Sequence, residues 1–166
     1  MKSEYTDPEL LEHILYALMP TNRLVCRVCL QTGLRVGDVL QLRTAALKKQ
    51  MTVTEQKTGK KRRITLPAAL LRDMQQQAGS VFVFEHRNDP NRPRTRQAVY
   101  ADLKRAAKAF RLSENLTPHS LRKVYAVRLY EKCGSLEKVQ HVLNHDRETT
   151  TLLYALADKL KKKGRP

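Results

Sequence analysis

The chain has 166 residues, and its 32 Lys and Arg against 16 Asp and Glu give a net charge of +16 and a pI of about 10.1. That length fits one domain burying about two thirds of its unfolded surface, which removes the need for a disulfide or metal staple, and no apolar run approaches the roughly eighteen residues of a membrane span. The charge points to a polyanion held through counterion release; with a polar, acidic start at Met1 to Asp7 in place of a secretory leader, a soluble, cytoplasmic protein with no membrane partner is expected.

Asp7-Pro8-Glu9 starts a first helix, with Asp as cap and Pro at the first helical position, and Leu10, Leu11, Ile14, Leu15 and Leu18 follow at helical spacing. A second helix is predicted over about 22–31, stopped by Gly33. A short one after Arg35 carries Val39, Leu40 and Leu42. Met51 to Thr54 and Arg63 to Leu66 are β-prone runs joined by Lys57-Thr58-Gly59-Lys60-Lys61, a hairpin with a basic tip. Pro67 begins a helix to about Gln77. Val81-Phe82-Val83-Phe84 reads as a brief strand or an apolar anchor, and His86 to Arg96 as a basic loop with two prolines. Thr95 caps a helix through Phe110 with Arg105 and Lys108 on its polar side.

Thr117-Pro118 starts the next helix, which runs to Cys133 and stops at Gly134. Ser135 caps another that reaches Leu143. A last helix over about 147–160 leads into a lysine-rich tail at 161–166. The fold class expected is mainly α with one small antiparallel β-sheet, in a single domain over 1–166. Cys26 and Cys29 share one helix face and Cys133 stands far from them, so the thiols read as core residues and no metal site is expected. His13, His86 and His141 read as ordinary surface or core histidines.

His119 and Arg122, three apart in Thr117-Pro118-His119-Ser120-Leu121-Arg122, project from one face near the positive end of their helix, a place that attracts phosphate. His145 follows in Asn144-His145-Asp146, and Tyr154 closes the run Thr149-Thr150-Thr151-Leu152-Leu153-Tyr154. Phosphodiester cleavage needs an oxygen nucleophile, charge neutralisation around the phosphorane, and a proton for the leaving sugar oxygen. Arginine forks clamp non-bridging oxygens at any pH near neutral. A phenol with a pKa near 10 needs a base or a positive field to attack.

A histidine followed by threonines and a tyrosine resembles the end of tyrosine recombinase catalytic domains, and Thr32-Gly33-Leu34-Arg35-Val36-Gly37-Asp38-Val39-Leu40 resembles that family's first arginine motif. The order arginine, lysine, His-x-x-Arg, histidine, tyrosine is complete from Arg35 to Tyr154. The resemblance implies that Tyr154 is the nucleophile, Arg35 and Arg122 the phosphate clamp, His119 the base, and His145 a donor to a phosphate oxygen. It implies Lys57 as general acid, with Lys60 and Lys61 as neighbouring alternatives, and Asp38 as a supporting acid. Lys60, Lys61, Arg62, Arg94, Arg96 and Lys123 are expected to contact DNA.

A 3′-phosphotyrosyl intermediate conserves the energy of the broken linkage, so the resemblance implies neither ATP, metal nor any other cofactor. The function implied is site-specific recombination of double-stranded DNA: integration, inversion or resolution. A type IB topoisomerase and a DNA-binding regulator on the same fold are the alternatives. Family members usually carry an N-terminal clamp domain, expected here to be absent because the thirty or so residues before Thr32 are catalytic-domain helices. The expectation is a monomer in solution that assembles as a homo-oligomer on DNA, with room for an accessory DNA-binding protein. Asn144 stands where the family has glycine, and Lys123-Val124-Tyr125 where a Thr or Ser with an aromatic is commoner.

Overall fold

The computed structural model describes residues 8–112 and 115–143. Asp7, His145, Tyr154 and the expected final helix and tail lie outside the described residues. Helix α1 (Pro8–Tyr16) buries Leu11, Ile14 and Leu15. Helix α2 (Pro20–Thr32) starts two residues ahead of its expected position because Pro20 occupies its first turn, where a missing N–H costs nothing.

Helix α2 is the centre of the molecule. Leu24, Val25, Cys26, Val28, Cys29 and Leu30 are all buried, and it packs on α1, α3 (Val36–Leu40), α4 (Ala68–Gln77), α5 (Arg96–Ala109) and α6 (Pro118–Cys133). Burial pushes the Cys29 thiol up to about 12 and the Cys26 thiol well above its ordinary value. Both stay protonated and serve as small apolar groups, as their spacing predicts.

Strands β1 (Gln50–Thr54) and β2 (Lys61–Thr65) form the expected hairpin, with Met51 opposite Ile64 and Val53 opposite Arg62. The segment expected to be a basic loop instead contains a second hairpin, β3 (Glu85–His86) and β4 (Asp89–Pro93), with a register shift between its two pairs. The described residues therefore hold two small antiparallel sheets rather than one. A two-residue strand facing one that carries Pro90 and Pro93 has no apolar alternation to betray it. Val81 to Phe84 acts as an anchor: Phe82, Val83 and Phe84 are buried, and only an isolated bridge joins Phe82 to Arg43.

The helix boundaries follow their caps. Thr95 accepts a hydrogen bond from the Ala98 N–H at 3.2 Å to open α5. At the start of α6 the Thr117 N–H donates to the Ser120 hydroxyl at 3.1 Å. Gly134, left-handed at φ 63°, ends α6 and returns its N–H to Tyr130 at 2.7 Å. Ser135 then caps α7 (Leu136–Val142) through the Lys138 N–H at 3.3 Å.

Candidate active site

The site is built around the turn that ends α2. Gly33 adopts φ 65° and returns its N–H to Cys29 at 2.8 Å, so only a residue without a side chain fits without strain. Space makes the same demand, since a Cβ there would stand 2.3 Å from the Tyr125 ring. The Gly33 carbonyl is the meeting point of two arginines. Arg122, 1% exposed, donates to it and also to the Leu143 carbonyl at 2.8 Å. Arg62 donates to it at 3.2 Å and to the Thr32 carbonyl as well. Charge-assisted bonds of this kind, made away from water, hold the turn, α6 and the end of α7 in one arrangement.

Arg35 follows at the cap of α3, with its carbonyl accepting the Asp38 and Val39 N–H groups at 2.9 and 3.0 Å. Its guanidinium donates to Glu55 Oε2 at 2.6 Å. Glu55 is fully buried, takes the Thr58 hydroxyl at 3.2 Å, and lies 3.8 Å from Arg62. Asp38 is also buried and accepts the Gln56 N–H at 2.9 Å, the residue just before Lys57. Arg35 and Asp38 are thereby tied to the hairpin that carries Lys57, and Arg122 to the turn that leads into Arg35.

Lys57 is exposed in the turn between β1 and β2, flanked by exposed Lys60 and Lys61. His119 is exposed in the first turn of α6, one turn ahead of Arg122. Arg92, Arg94, Arg96, Gln41 and Gln56 line a cavity of about 360 Å³ beside the hairpin. Arg96 lies over Gly37 and donates to the Gln56 side chain at 3.3 Å. Arg94 is tethered to Asn22 at 2.6 Å, and burial lowers its pKa from the ordinary arginine value. Lys123 is half-buried one residue beyond Arg122.

Arg62 corrects the expected set of DNA contacts. It faces inward on β2, 9% exposed, with its charge spent on the Thr32 and Gly33 carbonyls and on Glu55. Desolvation lowers its pKa, against the favourable pull of Tyr125 and Glu55. Glu55 is the residue that sequence reasoning missed, and a signal for it exists. Met51 and Val53 face the core, so period two places Glu55 inward too, just as Ile64 and Leu66 place Arg62 inward. Two opposite charges at inward positions of one hairpin need each other.

The family model for the phage integrase family matches residues 4–161. The chain belongs to the phage integrase family. Tyrosine recombinase XerD of Lacticaseibacillus casei is 31% identical over 149 residues, which cover 80% of this chain and 49% of XerD. The chain thus spans about half the length of that relative. The catalytic core of lambda integrase superposes with a TM-score of 0.69 at 28% identity, covering 88% of this chain and 93% of the core. A lambda integrase tetramer bound to a Holliday junction gives a TM-score of 0.70 at 26% identity, over 88% of this chain and 48% of that one. The fold of this integrase-family chain is therefore that of a tyrosine recombinase catalytic domain. Among its described residues no group of three His, Cys, Asp or Glu is placed to hold a metal ion, and no helix is long and apolar enough to cross a membrane.

Proposed function

We propose that the chain is the catalytic part of a site-specific recombinase that cuts and rejoins double-stranded DNA through a 3′-phosphotyrosyl bond. The observation that carries this reading is the assembly of Arg35, Arg122, Asp38 and the Lys57 hairpin around the Gly33 turn. These are three of the six motif residues and the supporting acid, drawn together from α3, α6 and a hairpin. The Tyr154 phenol oxygen attacks the scissile phosphorus, His119 takes the phenolic proton, and the bond to the 5′ oxygen breaks. Lys57 gives that oxygen its proton.

Arg35 faces the phosphate at the edge of the site, its side chain 15% exposed. Arg122 supplies charge from beneath, where a low dielectric strengthens its effect on the developing phosphorane. His145 completes the donor set. Lys60, Lys61, Arg94, Arg96 and Lys123 contact flanking DNA. A solved relative assembled as a tetramer on a Holliday junction supports assembly of this chain on paired sites.

A plasmid carrying two copies of a cognate site, incubated with the protein in EDTA and without ATP, distinguishes the readings. Recombinants that depend on Tyr154 are expected. Relaxed circles without recombinants would favour a topoisomerase, and DNA binding without any strand breakage a regulator.

A further inference from the structure

Glu55 belongs to none of the motif positions, yet it is in direct contact with Arg35. Its carboxylate is fully buried, and its Oε2 receives the Arg35 guanidinium at 2.6 Å. The same residue closes the hairpin loop through its main chain. Its N–H donates to the Lys60 carbonyl at 2.9 Å, and its own carbonyl accepts the Gly59 N–H at 2.8 Å. Thr58 reaches its side chain at 3.2 Å and Arg62 lies at 3.8 Å. One residue therefore joins the loop that carries Lys57 to the arginine that meets the phosphate.

A buried carboxylate is costly unless it is paired and hydrogen-bonded, and its partner is held in turn. An arginine has several rotatable bonds and a large rotamer entropy to lose. Left to itself at the edge of a site it would lose that freedom only when phosphate arrives. Bonded at one fork to Glu55, Arg35 is oriented beforehand, which is the role of partners that sit behind functional groups. A carboxylate so close also offsets the charge of Arg35, so it weakens bulk attraction for DNA while sharpening geometry. Such a group is expected to favour reaction rather than binding.

We propose that Glu55 is the positioning residue for Arg35, fixing the guanidinium for the transition state while adding nothing to DNA affinity. This rests on the reading of Arg35 as a phosphate ligand. Glu55→Gln keeps the shape and an acceptor oxygen but removes the charge that grips Arg35. The substrate is a nicked duplex selected from a random-sequence pool for covalent joining to the unmodified 166-residue chain, then resynthesised with oxygen or sulfur as the 5′-bridging atom. A thiolate leaves without needing a proton, so the sulfur form bypasses Lys57.

Adduct formation by Glu55→Gln is expected to fall about 10- to 100-fold on both substrates, with DNA affinity at fixed salt at or slightly above that of the unmodified chain. Lys57→Ala should be slow on oxygen and restored on sulfur. Full activity of Glu55→Gln, or a defect cured by sulfur, would overturn the assignment to Arg35. Adduct formation by Arg35→Ala would instead overturn the reading of the site itself. If the urea midpoint shows that Glu55→Gln loses its fold, Glu55→Asp, which retracts the charge by one methylene, is read in the same assays. Independently of cleavage, the Arg35 guanidinium protons in the DNA-free protein should give resolved, slowly exchanging resonances that merge in either variant. Unchanged resonances would also overturn the proposal.

Discussion

An arginine that is 1% exposed and donates to the carbonyls of Gly33 and Leu143 is part of the framework as well as of the site. Replacing Arg122 with Ala takes this donor from the buried Leu143 carbonyl and leaves the Gly33 carbonyl to Arg62, at a cost on the order of 3 kcal/mol. Arg35 is more accessible, and Arg35→Ala leaves Glu55 with Thr58 and Arg62 nearby, so a loss of about 1–2 kcal/mol is expected. Cleavage should vanish in both. Urea unfolding separates them: Arg122→Ala should unfold at clearly lower urea than Arg35→Ala, and Arg122→Lys should remain destabilised because a single ammonium cannot reproduce the fork. Equal midpoints for the two alanine variants would contradict the bracing role of Arg122.

Between elements, Asp102 on α5 joins the α1–α2 connection to the basic cavity. It accepts the Met19 N–H at 2.8 Å, Asn22 at 2.7 Å and Arg105 at 2.6 Å, while Asn22 in turn holds Arg94. Burial alone would raise the Asp102 pKa, but the bonds from Asn22, Arg105 and Met19 outweigh it and hold the carboxyl below its ordinary value. The folded state therefore binds this proton less readily than the unfolded state, whose carboxyl titrates near about 3.9. The stabilisation is complete above about pH 5 and is lost as pH falls through that value toward the depressed one. Asp102→Asn should lower the melting temperature at neutral pH and flatten its decline between about pH 5 and 2; an unaltered slope would count against the network. Much of this scale was legible in the sequence. Gly33, Thr95, Thr117-Pro118, Gly134 and Ser135 mark helix ends because each satisfies or frees a particular backbone group, and such chemistry is local. The Asp102 network was not legible, because Met19 and Asn22 lie some 80 residues from it in sequence and only Arg105 is near. The β3–β4 hairpin and Glu55 were missed for opposite reasons: the hairpin has no apolar alternation, whereas Glu55 continues an alternation that a charged residue obscures. His145 and Tyr154 were legible as motif residues, and they lie outside the described residues.

For the whole molecule, a charge of +16 makes binding to duplex DNA, under the proposed function, a steep function of salt. Removing one phosphate-binding cation should reduce the slope of log K against log salt by about 0.9. Exposed Lys60, Lys61 and Arg96 replaced together by alanine should therefore flatten it by about 2.7 if each meets one phosphate, while Arg62→Lys should leave it unchanged because Arg62 faces inward. A lowered slope for Arg62→Lys would return that residue to the DNA surface. The central claim is that this integrase-family chain breaks DNA with Tyr154 and needs no metal. Its most direct test is to incubate the protein and its Tyr154→Phe variant with supercoiled plasmid carrying candidate sites in EDTA, quench with detergent, and isolate protein covalently joined to DNA. A 3′-linked adduct formed by the unmodified chain and absent from Tyr154→Phe is the predicted result. An adduct that persists in Tyr154→Phe, or DNA bound and recovered intact from both proteins, would contradict the account.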